Sequence, residues 1–159
     1  MKIIVLSDIH YPTRLKELPD FDRLFKHVDQ IFCLGDIVDL RVIDLISLNC
    51  SNIHVVHGNM DSNEIVSNYP NTKLLRLMGY KIGLTHGYGS PLGIRKRIAN
   101  LFEEKPDIIF YGHTHIKSDI FEGGIRFINP GAFCSGDFIL MNLDVKRIDI
   151  DFLNWKEIL

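Results

Sequence analysis

The sequence predicts an α/β fold whose last third turns antiparallel, and three observations carry that reading. Five short apolar runs, rich in β-branched residues, each end in a polar cluster, four of them beside glycine, as buried strands do where they run out into loops. Between several of these runs lie segments whose apolar residues recur at helical spacing. Beyond residue 117 the helical pattern gives way to a hairpin signal and a strict alternation.

The elements follow in order. Residues 2–6 (KIIVL) form the first predicted strand and end in Ser7-Asp8-Ile9-His10. Asp20 can cap a short helix whose Phe21, Leu24, Phe25 and Val28 share a face. Residues 30–34 (QIFCL) end in Gly35-Asp36, and residues 39–48 set Leu40, Val42, Ile43, Leu45 and Ile46 at helical spacing with Asp39 at the cap. Residues 53–56 (IHVV) end in His57-Gly58-Asn59, and residues 81–84 (KIGL) end in Thr85-His86-Gly87. Ser90-Pro91 makes an N-cap and first-turn pair. It is expected to open a helix that buries Ile94, Ile98, Leu101 and Phe102 and stops before Pro106. Residues 107–111 (DIIFY) end in Gly112-His113-Thr114-His115. Residues 117–121 and 125–128 flank Gly123-Gly124, a hairpin turn. Residues 136–143 lead into 147–152 (RIDIDF), the alternation of a half-buried strand. This final part is expected to be mostly antiparallel, extending the first sheet or building a second.

Composition narrows the function classes. The 159 residues fit one domain, 1–159, with 46% hydrophobic and 24% charged residues. A net charge of -2 disfavours a nonspecific nucleic-acid partner, which calls for a basic surface. No apolar stretch approaches the ~18 residues that span a bilayer. The N-terminal run lacks the long apolar region and cleavage site of a secretion signal. Cys33, Cys50 and Cys134 are odd in number and show no CxxC spacing, which suggests reduced core thiols in an intracellular protein. A cytoplasmic location is expected.

The strand ends carry the chemistry. Ligand sites in α/β sheets gather beyond the carboxyl ends of strands. One edge of one layer is therefore expected to collect Asp8, His10, Asp36, Asn59, His86, His113 and His115. Four of the chain's seven histidines fall in that set. Imidazole with carboxylate is a ligand set for first-row transition metals. Seven donors exceed one tetrahedral ion, whereas two ions sharing a carboxylate use them all. Asp8 with His10, and His113 with His115, are i, i+2 pairs that share a face in extended chain. Two divalent ions outweigh two carboxylates and a hydroxide by one positive charge, which favours an anionic phosphoryl substrate.

The motif order D-x-H (8–10), GD-x-x-D (35–39), GN-x-D (58–61), HG (86–87) and GHTH (112–115), with Asn129-Pro130-Gly131, resembles the calcineurin-like metallophosphoesterases. More narrowly it resembles their small single-domain branch of bacterial and archaeal phosphodiesterases. The resemblance implies a four-layer αββα sandwich of two mixed sheets with a dinuclear centre between the strand ends. Asp8, His10, Asp36 and His115 would hold one ion. Asp36 would bridge to a second, held also by Asn59, His86 and His113. Mn²⁺ is the usual activating ion in such enzymes, with Fe, Ni, Zn or Co as alternatives. The implied reaction is hydrolysis of a phosphodiester or activated phosphate ester by a hydroxide bridging two metals, with Asp36, Asn59 and His86 as catalytic residues. The implied partner is a small phosphate ester, a nucleotide or cyclic phosphodiester among the candidates. The sequence leaves the substrate and any homo-oligomer open.

Departures from the family pattern sharpen this reading. Larger relatives carry a histidine after GN that protonates the leaving group, and here that position is Met60. Leaving groups of low pKa, or another donor, are then required. Asp61 keeps the motif's acidic residue and is placed to orient its neighbours. His57 precedes GN and, with Asn59 and Arg41, is a candidate for substrate binding. The short interval between Asp8 and Gly35 predicts a stubby first helix and an open site. Arg95-Lys96-Arg97 reads as the solvated face of a helix. The alternative is a non-catalytic scaffold of the same fold, as in a retromer subunit, or a nucleotide-sensing interaction protein.

Overall fold

The period of 2 along a strand sorts this chain into layers. The computed structural model describes residues 1–159. In β1 (Lys2–Leu6), Ile3 and Val5 face one way and Ile4 and Leu6 the other, and all four are buried. A strand buried on both faces must be covered on both.

The first sheet holds β1, β2 (Gln30–Cys33), β3 (Ile53–Val55), β9 (Asp137–Leu143) and β10 (Ile148–Asn154), in the order β10-β9-β1-β2-β3. The β1–β2 and β2–β3 pairs are parallel, while β1–β9 and β9–β10 are antiparallel. The second sheet holds β4 (Thr72–Leu77), β5 (Tyr80–Thr85), β6 (Ile108–Phe110), β7 (Ser118–Glu122) and β8 (Ile125–Asn129), in the order β4-β5-β6-β8-β7. It too is mixed, with β5–β6 and β6–β8 parallel and both edge strands antiparallel.

Three apolar clusters separate four layers. Ile3, Val5, Phe32 and Leu34 of the first sheet meet Ile82, Leu84, Phe110 and Ile128 of the second between the sheets. On the outer face of the first sheet, Ile4, Leu6, Ile31 and Cys33 pack on helices α1 (Phe21–Leu24), α2 (Leu40–Ser47) and α3 (Asn63–Asn68), through Phe21, Val42, Ile46 and Ile65. On the outer face of the second, Ile109, Tyr111 and Phe127 pack on Ile94 and Ile98 of α4 (Ile94–Ala99). A last turn, α5 (Trp155–Ile158), is tied to the first layer by Trp155 Nε1–H donating to the Phe133 carbonyl at 2.9 Å. This is an αββα sandwich, as the motif resemblance implied. No helix is long and apolar enough to cross a membrane.

Local chemistry explains the helix starts. Asp20 accepts from Arg23 N–H at 3.2 Å, Asp39 from Arg41 N–H at 2.9 Å, and Ser62 from Ile65 N–H at 3.4 Å. The first helix is a single turn of 4 residues, as the short Asp8–Gly35 interval predicts. The Gly123-Gly124 turn closes the β7–β8 hairpin with φ of 59° and 77°, values that favour glycine.

Three expectations need correction. The helix after Ser90-Pro91 begins only at Ile94, because Gly93 at φ 74° turns the chain left-handed. The Arg97 guanidinium fastens that turn, donating to the carbonyls of Tyr88, Ser90 and Leu92. The last third is mostly antiparallel, as expected, with β8 alone pairing parallel, to β6. The seven polar residues do not lie on one layer: Asp8, His10, Asp36 and Asn59 follow strands of the first sheet, and His86, His113 and His115 follow strands of the second. Nor are the i, i+2 pairs extended. Asp8, His10, His113 and His115 all have φ between 49° and 67°. Strand β4 and helices α3 and α5 were not expected; β4 depends on pairing with β5 across the Met78-Gly79 turn.

Phe32 is fully buried and meets Phe110 edge-on at 6.1 Å between the sheets. Phe32→Ala is expected to cost about 3–5 kcal/mol, read by urea denaturation. Phe121→Ala, on an exposed side chain, should stay within about 0.5 kcal/mol of the parent.

Candidate functional site

The site forms where the two sheets bring their strand ends together. After β1 and β2 the chains keep pairing: Asp8 N–H donates to the Gly35 carbonyl at 3.0 Å and His10 N–H to the Asp36 carbonyl at 2.9 Å. The loop after β2 is then pinned by one carboxylate. Asp61 accepts Asp36 N–H at 3.0 Å, Ile37 N–H at 2.6 Å, Val38 N–H at 2.7 Å and Gly58 N–H at 2.7 Å. Met60 N–H occupies Oδ1 of Asp36 at 2.8 Å, so Oδ2 is left to face the histidines. Two glycines are required by close approach. A Cβ on Gly58 would collide with Asp36 Oδ1, and one on Gly112 with Ser7 Oγ.

Two groups of donor atoms result. Asp8, His10 and His115 make one, and Asp8, Asp36 and His86 the other, each with its donor atoms within 4.8 Å of one another. Asp36 Oδ2 lies 3.2 Å from His86 Nε2 and 3.6 Å from His10 Nε2, so it reaches toward both. Asp8 Oδ1 lies 3.0 Å from His115 Nε2 without the alignment of a hydrogen bond.

Proton bookkeeping shows what this arrangement lacks. His86 Nδ1 is 2.7 Å from the Leu34 carbonyl, an acceptor, so Nδ1 carries the proton and Nε2 carries a lone pair. That buried Nε2 has no hydrogen-bond partner, and neither has buried Asp8 Oδ1. His113 repeats the pattern. Its Nε2 donates to the Gly89 carbonyl at 2.9 Å, which leaves a lone pair on Nδ1 facing Asn59 Oδ1 at 3.1 Å. Imidazoles that hold metal ions donate their other N–H in this way. Lone pairs that converge out of water, as on buried His86 Nε2 and Asp8 Oδ1, repel unless a cation lies between them. A proton satisfies one such pair, whereas a divalent ion satisfies several at once. The residues present therefore fit divalent ions.

The charges agree. Burial opposes ionisation of Asp8, yet the surrounding His10, His115 and His86 hold its carboxyl well below the usual carboxylate range. Burial works against Asp36 as well, and the adjoining His86 lowers its pKa in spite of that. Burial favours neutral His86, but Asp36 and Asp8 outweigh it and raise its affinity for a proton. The cluster attracts positive charge.

A cavity of about 360 Å³ opens over the two groups, lined among others by His10, Arg14, Asn59, Met60, His113 and His115. A second, of about 250 Å³, lies beside it and takes in His57, Asn71, Thr85, His86 and Tyr88. Asn59 lines both. His57 thus borders the site. Arg41 does not line either cavity; both oxygens of Asp39 hold its guanidinium at the start of α2. Arg95 is likewise spent, on Glu122.

Three contributors were not read from the sequence. Ser7 Oγ donates to Asp8 Oδ2 at 2.7 Å, and His113 N–H reaches the same oxygen at 3.1 Å. Asn129 donates to the Gly112 carbonyl at 2.8 Å and to Thr114 Oγ1 at 3.1 Å, which steadies the 112–115 loop. Arg14 stands on the rim, its Nη1 3.5 Å from His115 Nδ1. The Asn129-Pro130-Gly131 motif could have signalled the second. Ser7 and Arg14 carry no signal beyond lying near Asp8 and His10.

A profile of the calcineurin-like phosphoesterase superfamily domain matches residues 1–143. A relative from Methanothermobacter thermautotrophicus, described as a probable metallophosphoesterase, is 26% identical and covers 96% of this chain and 92% of its own. Among solved structures, a Thermotoga maritima protein superposes with a TM-score of 0.82 at 34% identity, over 96% of this chain and 98% of its own. An archaeal protein described as a novel phosphodiesterase superposes with a TM-score of 0.70 at 22% identity, over 96% of this chain and 100% of its own. At that identity the likeness is one of fold.

Asp61→Asn removes one charged oxygen and with it the acceptor for two of the four amides. Buried donors left unpaired cost about 1–3 kcal/mol each. The variant is expected to lose at least about 2 kcal/mol in urea denaturation.

Proposed function

The chain belongs to the calcineurin-like phosphoesterase superfamily, and from that premise we propose that it is a dinuclear, metal-dependent phosphodiesterase or phosphatase of activated esters. It acts in the cytoplasm as one domain over residues 1–159. The observation that carries this reading is the convergence of imidazole and carboxylate lone pairs that no N–H or O–H satisfies. Asp8, His10, Asp36 and His115 would hold one ion, and Asp36, Asn59, His86 and His113 would hold the other. The reach of Asp36 Oδ2 toward both His10 and His86 supports its bridging role.

Bound divalent ions, Mn²⁺ foremost, supply Lewis acidity toward the phosphoryl oxygens and acidify a water to the strength of a nucleophile at neutral pH. The chain's own groups do the rest. Leu34 and Gly89 carbonyls fix the tautomers of His86 and His113. Asp61 holds the loops that carry Asp36 and Asn59. Asn59 borders the phosphoryl cavity and, through its side-chain amide, steadies the negative charge that grows on phosphorus oxygens in the transition state, whereas His86, with both nitrogens committed, contributes only through the ion it would hold. His57 borders the adjoining cavity and contacts the organic part of the substrate. Met60 lines the phosphoryl cavity and donates no proton, so the leaving group departs unprotonated.

Purified chain loaded with Mn²⁺ is expected to contain two ions by elemental analysis and to hydrolyse bis(4-nitrophenyl) phosphate. Asp36→Asn and His113→Ala should each drop that activity to background. Near-parental turnover in either variant removes the assignment, and metal binding without hydrolysis of any ester points instead to a scaffold. Across a panel of substrates and Mn²⁺, Fe²⁺, Ni²⁺, Zn²⁺ and Co²⁺, diesters and activated esters should exceed alkyl monoesters. A preference for unactivated alkyl monoesters contradicts the role given to Met60.

A further inference from the structure

Arg14 is the one lysine or arginine that lines the cavity over the two donor groups. Its backbone is held tightly. The His10 carbonyl accepts Arg14 N–H at 2.8 Å, Leu15 N–H at 3.2 Å and Thr13 Oγ1 at 3.0 Å. Its guanidinium has no carboxylate partner, unlike those of Arg41, Arg76, Arg95, Arg126 and Arg147. The one side chain it hydrogen-bonds is His115, through Nδ1 at 3.5 Å. Most of a planar fork of five N–H donors, shaped for phosphate, is therefore unspent beside the reacting centre.

Met60 limits what can leave. The residue is 54% exposed, lines the same cavity and carries no transferable proton. An alkoxide is too basic to depart unprotonated. A phosphate monoester, whose second pKa is about 6, departs readily, and it bears the negative charge that Arg14 can hold.

Resting on the phosphodiesterase reading above, we infer that the substrates are pyrophosphate diesters, R–O–P–O–P–O–R′. One phosphate lies over the donor groups and the second, the leaving one, lies on Arg14. A water oxygen joins the first phosphorus. The bond from that phosphorus to the bridging oxygen breaks, and its electron pair stays on that oxygen. One water proton goes to each product, giving two phosphate monoesters that ionise further in water. The attacked phosphorus carries two substituents, as in a simple diester, so the inference narrows the substrate class without changing the reaction.

The test compares parent chain and Arg14→Met, both Mn²⁺-loaded, on ADP-ribose and on bis(4-nitrophenyl) phosphate. A charge-assisted contact of this kind is worth about 10- to 100-fold. Arg14→Met should lose that much kcat/KM on ADP-ribose, mainly through KM, and less than about threefold on the simple diester. Calorimetry with methylenediphosphonate, which resists hydrolysis, should show a loss of binding of similar size. Equal losses on both substrates would assign Arg14 to the support of His115 and overturn the inference. So would unchanged binding of the bisphosphonate, or a parent chain that cleaves the simple diester and leaves ADP-ribose intact. If neither ester is cleaved but bisphosphonate binding still depends on Arg14, the hydrolase reading falls and the second-phosphate site stands.

Discussion

One carboxylate holds the site together. Asp61 gathers amides from the loop after β2 and from Gly58 after β3, and so locks two separate strand ends to each other. Those loops carry Asp36 and Asn59. Hydrogen bonds to a charged acceptor are worth roughly 1.5–3 kcal/mol each, enough to hold backbone that would not otherwise keep this shape. Val38 shows the strain: a β-branched residue at φ 80°, its N–H on Asp61. The motif aspartate thus acts on the chemistry through the backbone.

Strain marks most of the donor set. Asp8, His10, Asp36, His113 and His115 all sit at φ between 49° and 67°, in the left-handed region that costs a side chain of order 1–3 kcal/mol. That conformation turns consecutive side chains of a loop sharply inward, which a strand end cannot do. Backbone pairing beyond the strands and the Asn129 carboxamide sustain it. The layered core supplies the rigid frame, since the apolar cluster between the sheets sets how closely the two rows of strand ends approach. A loosened core would misplace the histidines of one sheet against the aspartates of the other.

Electrostatics and packing agree on what the centre awaits. His86, held between Asp8 and Asp36, takes up a proton more readily than an ordinary histidine. A centre that draws protons so strongly draws a divalent ion by the same field, and the ion competes for the same lone pairs. The neighbouring cavities differ in character. The one over the donor groups brings imidazole, guanidinium and thioether together, and the one beside it offers His57, Asn71 and Tyr88. The two meet at Asn59, which lines both.

The sequence by itself determined the strands other than β4, because buried apolar runs ending in polar clusters have few other ways to fold. It also pointed to Asp8, His10, Asp36, His86 and His115, whose donor atoms the structure brings within reach of one another, since each lies at the end of such a run. It determined the helix caps at Asp20 and Asp39, where a side chain bonds an amide two or three residues on. What only the tertiary structure decided was everything set by distant partners. The division of the donors between two sheets and the left-handed backbone at Asp8 and His113 depend on contacts that no local pattern encodes. The place of Arg14 beside His115 is the clearest case, for the two are 101 residues apart in the chain. Local propensity reaches only a few residues, whereas a site is built from whatever the packed layers bring face to face.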